Sequence, residues 1–313
     1  MTPIRLWAAL RDSVATAVVG AQEPLRMLTA ALLAGGHVLV EDVPGVGKTL
    51  LAKSFARSLG LSFARVQGTP DLLPSDVTGS SVLDNGAFRF VPGPVFSNVV
   101  LFDEINRATP RTQSALLEAM QERQVSVDGV THQLPRPFVV LATQNPIELE
   151  GTFALPEAQL DRFLVRVDLG YLSEPDERQM LRRLREGDDL VDRISPVVQA
   201  ADLESVGETV RSVLVADEVE GYLLSIIRAT REHADVRLGA SPRSAVALYR
   251  TCQAWAALDG RDFVLPDDVR HLVRPVLAHR LVLDIDRELR GATRAQVLDG
   301  VLAQTPVPVV EPA

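Results

Sequence analysis

Residues 37–60 read HVLVEDVPGVGKTLLAKSFARSLG, and this stretch decides the fold. Val38-Leu39-Val40 is a short aliphatic run suited to a strand buried on both faces. Leu50, Leu51, Phe55 and Leu59 then recur at helical spacing, with Gly60 placed to stop the helix just past its last turn. Between the two lies Gly45-Val46-Gly47-Lys48-Thr49, the end of the phosphate-loop pattern G-x-x-x-x-G-K-[ST]. The first glycine of that pattern is replaced by Asp42. Gly45 and Gly47 let backbone N–H groups close around phosphate oxygens, and the helix N-terminus adds the positive end of its dipole. An ordinary strand, turn and helix with a chance Gly-Lys-Thr is the competing reading, so the rest of the chain has to separate the two.

Four more aliphatic runs follow: Phe63–Val66, Val99–Phe102, Phe138–Ala142 and Phe163–Leu169. Five runs separated by crossovers predict a mostly parallel α/β sheet. Two hairpins interrupt it, at about 79–96 and 122–137, turning at Asp84-Asn85-Gly86 and Asp128-Gly129. The pattern turns helical after Tyr171, where Ser173 and Pro175 open a helix. Ala245–Leu258 and Val269–Leu277 read as further helices. The predicted organisation is an α/β core over residues 1–170, an all-α domain over 171–304, and a loose proline-rich tail over 305–313.

Composition narrows the function. The chain has 313 residues, 32 Lys+Arg against 41 Asp+Glu, and a net charge of −9, which argues against general nucleic-acid affinity. A single cysteine, Cys252, rules out an internal disulfide or a cysteine-cluster metal site and reads as a packed core residue. No run approaches the ~20 apolar residues of a membrane span, and the N-terminus lacks a secretory pattern, so a cytoplasmic protein is expected.

The strand ends carry the chemistry. Val99–Phe102 runs into Asp103-Glu104, which places two carboxylates at the sheet edge where open α/β sheets bind ligands. Asp103 is suited to hold Mg2+ with the Thr49 hydroxyl, and Glu104 to act as general base toward an attacking water. A second strand ends in Thr143-Gln144-Asn145, where an amide can orient that water or touch a γ-phosphate. Arg162 leads into the last strand and Arg243 stands just inside a later helix. Guanidinium groups stay charged and bond phosphate bidentately, which suits a transition state with charge spread over oxygens.

The succession Gly47-Lys48-Thr49, Asp103-Glu104, Asn145, Arg162, Arg243 resembles the AAA+ ATPases: Walker A, Walker B, sensor 1, arginine finger and sensor 2. The segments RVQGTPDLLPSDVTGS, LFDEINRATPRTQSALLEAMQERQV, ATQNPIELEGTFALPEAQLDRF and GASPRSAVAL are similar to MoxR-type members over about residues 18–285. The resemblance implies a RecA-like P-loop core with a parallel five-stranded sheet, a C-terminal helical lid, and a homo-oligomeric ring, usually a hexamer. It implies ATP held by Val19, Gly20, Gly45, Val46, Gly47, Lys48, Thr49, Leu50 and Asp103. Glu104 is expected to activate water, Asn145 to sense the γ-phosphate, Arg162 to reach the neighbouring subunit's site, and Arg243 to contact nucleotide in its own chain. Arg107 is a candidate second interface arginine. The hairpins match the helix-2 and pre-sensor 1 insertions. The implied function is ATP-driven, chaperone-like remodelling of partner proteins, often ones with von Willebrand factor A domains. A nucleic-acid motor or loader of a related branch is the alternative, disfavoured by the charge.

Overall fold

A computed structural model describes residues 1–42, 45–84, 86–145, 151–183, 185 and 190–308. Helices α1 (Pro3–Val14) and α2 (Gln22–Leu33) precede β1 (Val38–Glu41), and the glycine loop leads into α3 (Lys48–Ser58) and β2 (Phe63–Gln67). A short α4 (Pro74–Thr78) enters the hairpin β3 (Gly79–Asp84) and β4 (Ala87–Pro92). Next come β5 (Val99–Asp103) and α5 (Pro110–Glu122), then the hairpin β6 (Gln124–Val127) and β7 (Val130–Gln133). The core closes with β8 (Val139–Gln144), α6 (Glu157–Leu160) and β9 (Val165–Val167). Both expected hairpins are present, although Asn85 of the first turn lies outside the described residues.

The five core strands form one parallel sheet in the order β2-β5-β8-β1-β9. Successive side chains of a strand point to opposite faces, and each aliphatic run divides accordingly. Val38 and Val40, Val99 and Leu101, Val139 and Leu141 pack on one face, under α1–α3 and the later helices. Leu39, Val100, Phe102, Val140 and Ala142 pack on the other, under α5. Burial on both faces is why these strands read as unbroken apolar runs rather than alternating ones.

The second half contains α7 (Glu174–Arg183), α8 (Ala200–Arg211), α9 (Asp217–Glu232), α10 (Pro242–Leu258) and α11 (Pro266–Leu277), then α12 (Ile285–Leu289) and α13 (Arg294–Gln304). This lid is helical, with one addition the sequence did not reveal: an antiparallel ribbon of β10 (Val236–Leu238) and β11 (Val282–Leu283). Two and three residues per strand are too short for a periodic signal. Cys252 is buried in α10, where desolvation pushes its thiol well above the usual range.

N-terminal helices fasten the lid to the core. Arg26 of α2 donates to Asp259 and stacks 3.8 Å above the Trp255 ring, and Glu23 pairs with His271 at 3.0 Å. The apolar cluster on that face of the sheet runs without a break into α10, α11 and α13.

Candidate functional site

The glycine loop has the shape its sequence requires. Gly45 and Gly47 have φ of 86° and 90°, a region that L side chains rarely adopt, and a Cβ on either would meet nothing within 4 Å. Gly47 occupies the N-cap of α3 with no side-chain cap, so the first N–H groups of the helix face the space in front of the loop. An adjoining cavity of about 340 Å³ is lined by Val18, Val19, Gly45, Val46, Leu50 and Tyr171, among others. Its size and apolar walls suit a purine-sized ring beside a phosphate cradle. Val19 lines this cavity, and Gly20 after it is packed so closely that a Cβ would lie 2.7 Å from Leu172, which also lines it.

Asp42 does not point into the cradle. Its carboxylate Oδ2 accepts the backbone N–H groups of Leu169 and Gly170 at 2.7 and 2.8 Å, and its side chain is buried. The chain that leads from β9 toward the lid is therefore tied to the strand that enters the loop. Lys48 Nζ donates to the Asp42 carbonyl at 3.1 Å. Burial, with the nearby Asp42 charge adding, raises the Asp168 carboxyl beside this tie, against the lowering effect of Arg166.

Asp103 closes β5 and Thr143 stands next to it on β8. The Thr143 hydroxyl donates to Asp103 Oδ1 at 2.9 Å and accepts the Glu104 N–H at 2.8 Å, so one hydroxyl orients both acidic residues. Arg65 of β2 donates Nε and Nη2 to Asp103 Oδ2 at 2.9 and 2.7 Å. Glu104 sits at φ 55°, an unusual conformation for a residue with a side chain. Its Oε2 accepts from Gln67 Nε2 at 2.9 Å and Arg107 Nη1 at 3.3 Å. Asn145 follows directly on β8, whose Gln144 pairs with Glu41, so it stands at the same sheet edge as the loop. The Pro146–Glu150 stretch beyond it lies outside the described residues.

This donor set fits a magnesium nucleotide. An uncapped helix N-terminus, two open glycines, a lysine, a hydroxyl at Thr49 and a carboxylate at Asp103 converge on one edge of the sheet.

Arg162 and Arg243 are not there. Leu164 N–H donates to the His37 carbonyl at 2.8 Å and Val165 pairs with Val38, which places Asp161–Leu164 at the N-terminal edge of the sheet. The four residues of β1, at about 3.3 Å per residue, separate that edge from the loop by some 10 Å or more. Arg162 donates Nη1 to the Leu117 carbonyl at 3.0 Å, and Arg243 stands 4.0 Å from Asp161. Both line a cavity of about 400 Å³ with Arg123, Arg250 and Arg280. Expecting Arg243 beside its own chain's nucleotide is therefore a correction: the fold groups it with Arg162, away from Lys48. Helical pattern alone cannot say over which edge of the sheet a lid helix begins. Arg107, expected at an interface, contacts Glu104 of its own chain.

Arg65, Gln67 and Thr143 are site residues that the sequence did not single out. Their signal is the strand alternation, since Arg65 and Gln67 share a face of β2 and pair in register with Leu101 and Asp103.

Comparison with known proteins agrees with this geometry. Residues 37–165 match the ATPase family associated with various cellular activities (AAA), and residues 228–299 match the AAA lid domain. YeaC of Bacillus subtilis is 46% identical over 93% of this chain and 92% of its own. Chaperone MoxR1 of Mycobacterium tuberculosis is 40% identical over 94% of this chain and 80% of its own. The crystal structure of a Cytophaga hutchinsonii protein, 36% identical, superposes with a TM-score of 0.92 and covers 98% of this chain and 96% of that one. Identity of this order over nearly the whole length, together with the two matched regions, places the chain in the MoxR family of AAA+ ATPases.

Proposed function

We propose that the chain hydrolyses ATP at the seam between two copies in a closed ring, a hexamer by family resemblance, and uses the cycle to remodel partner proteins. The observation that carries this reading is the placement of Lys48, Asp103, Glu104 and Asn145 at one edge of the sheet and of Arg162 and Arg243 at the other. No single chain can close both sets on one triphosphate. A head-to-tail ring brings the two edges together at every seam.

On this reading Gly45, Val46, Gly47 and the start of α3 cradle the phosphates while Lys48 exchanges the Asp42 carbonyl for a β/γ oxygen. Val19 and Leu50 pack the base. Thr49 and Asp103 would hold Mg2+, which would neutralise charge on the triphosphate. Glu104 exchanges Gln67 and Arg107 for a water, takes its proton as the oxygen bonds to the γ-phosphorus, and the bond to the bridging oxygen breaks. Asn145 orients that water. Arg162 and Arg243 of the neighbouring copy meet the charge that develops on the transferring group.

Protein rather than nucleic acid is the expected client. The tip of β3–β4 presents Leu83 opposite Phe88, 67% and 78% exposed, on a chain of net charge −9. Clients with von Willebrand factor A domains follow from the resemblance alone, and a cytoplasmic setting from the sequence expectation. Among the described residues no helix is long and apolar enough to cross a membrane. The test is turnover against protein concentration. Specific activity should rise as copies assemble, and Arg162→Ala should lower kcat while leaving ATP binding near wild type. A verified monomer with full turnover overturns the reading.

A further inference from the structure

The arginines at the far edge are not loose surface groups. One carboxylate, Asp161, which precedes Arg162 in the chain, meets Arg280, Arg243 and the cap of the helix that carries Arg243. Asp161 Oδ2 accepts from the Ser241 hydroxyl at 3.3 Å, and Ser241 caps α10, the helix that carries Arg243 in its first turn. Asp161 Oδ1 lies 3.3 Å from Nη1 of Arg280, an ion pair in which neither atom has a hydrogen-bond partner among the described residues. Arg280 comes from the lid, just after α11, and its side chain is only 3% exposed. Its Nη2 donates to the Phe163 carbonyl at 2.7 Å, and His279 Nε2 meets the same oxygen at 3.0 Å. One guanidinium thus meets the chain on both sides of Arg162, by an ion pair with the side chain before it and a hydrogen bond to the carbonyl after it.

Such a group is expensive to bury. A guanidinium out of water loses its hydration, and burial is compensated where its charge is paired and its N–H groups find acceptors. Desolvation lowers the Arg280 pKa to about 10, against the raising effect of Asp161, so it remains a cation at neutral pH. Its side chain is almost wholly enclosed, although it forms part of the wall of the cavity that Arg162 and Arg243 line. Arg162, by contrast, is partly exposed, and its Nε is buried without a hydrogen-bond partner among the described residues. Its direction is set by the Leu117 carbonyl, which accepts from Nη1 at 3.0 Å, and by the backbone that Arg280 holds.

We propose that Arg280 is a positioning residue for ATP hydrolysis: through Asp161 and the Phe163 carbonyl it locks the lid onto the arginine-bearing segment and so aims Arg162 and Arg243 at the neighbouring copy's triphosphate. The lid and the arginines then move as one piece, so a rotation of one copy's lid is felt in its neighbour's site. This inference rests on the seam reading given under Proposed function.

The test uses subunit mixing of the full chain. Arg280→Met removes the grip, and Arg280→Lys keeps the charge but cannot span both acceptors. Either variant should bind a fluorescent ATP analogue as wild type does, because its own cradle lies at the opposite edge, and its kcat should fall roughly tenfold or more. Arg280→Lys serves should Arg280→Met fail to bind nucleotide at all. Glu104→Gln copies hydrolyse nothing but carry intact arginines. Mixed one to one with an Arg280 variant, they should restore about one quarter of wild-type turnover, since about that share of seams pairs a sound cradle with sound arginines. Simple misfolding gives no such recovery. Arg162→Ala mixed with Glu104→Gln is the control. The proposal is overturned if the Arg280 variants keep wild-type kcat, or if Arg162→Ala recovers in the mixture and they do not. Recovery by neither variant overturns the seam reading itself, and this proposal with it.

Discussion

A Cβ on Gly68 would stand 2.2 Å from the carbonyl oxygen of Glu104 and 2.9 Å from its carbonyl carbon. Gly68 follows β2 and donates its N–H to the Asp103 carbonyl at 2.7 Å, so the end of β2 lies flat against the peptide that sets Glu104 at φ 55°. The clash is with backbone, which cannot swing aside as a flexible side chain can. Gly68→Ala should displace Glu104 by a sizeable fraction of an ångström. A roughly 10- to 100-fold fall in kcat is expected, since a misplacement near 1 Å has that effect. ATP affinity, measured by titration, should change little because Lys48 and the glycine loop lie on other elements.

Arg65 competes with any divalent cation for Asp103. It puts two N–H groups on one carboxylate oxygen, and its side chain is half exposed, which places the pair in the weak range of about 0.2–1 kcal/mol. Arg65→Ala should therefore lower the magnesium concentration that half-saturates turnover by about 1.5- to 5-fold. Titration of Mg2+ at saturating ATP checks this, and an increase would show that Arg65 helps hold the carboxylate in place rather than competing for it.

Asp42 ties the loop strand to the lid connection through two charge-assisted hydrogen bonds. Asp42→Gly restores the glycine of the phosphate-loop pattern yet removes both acceptors. Hydrogen bonds to a charged group contribute about 1.5–3 kcal/mol, so the variant should unfold several degrees below wild type. Nucleotide binding should weaken rather than improve. Calorimetric melting with and without ATP would expose the opposite result, a variant more stable and tighter-binding than wild type.

Two buried histidines set the acid limit. Burial lowers both His37 and His279 from 6.5 to about 3, with nearby arginines adding, so each is neutral in the folded chain at pH 5. The unfolded chain binds more protons between those values. Their contribution is complete above about pH 6.5 and is lost as pH falls toward 3. Lowering the pH from 7 to 5 should reduce unfolding free energy by about 2 kcal/mol per histidine. Urea midpoints at the two pH values measure it, and a His279→Gln variant that still folds should show roughly half the slope.

Much of the site was legible in the chain because it is local. The loop at 45–49, the carboxylates after Val99–Phe102 and the amide after Val139–Ala142 are fixed by a strand and the few residues beyond it. Aliphatic runs of three to seven residues mark the strands without any knowledge of what they pair with. What stayed hidden depends on partners far away in sequence. Asp42 read as a defect in the phosphate pattern until Leu169 and Gly170 were found on its carboxylate. Arg65 and Gln67 carry no motif of their own, and only the folded chain sets their side chains on Asp103 and Glu104.

Sequence alone determined the alternation of strand and helix, the phosphate loop, the acidic strand end and the family, because each is written in spacing or in short contiguous motifs. Only the tertiary structure decided which edge of the sheet each motif occupies. Parallel pairing of β1 with β8 and β9 sends the loop and Asn145 to one edge and Asp161–Leu164 to the other. Direction along a sheet is a property of pairing between distant segments, and no local preference of a residue encodes it.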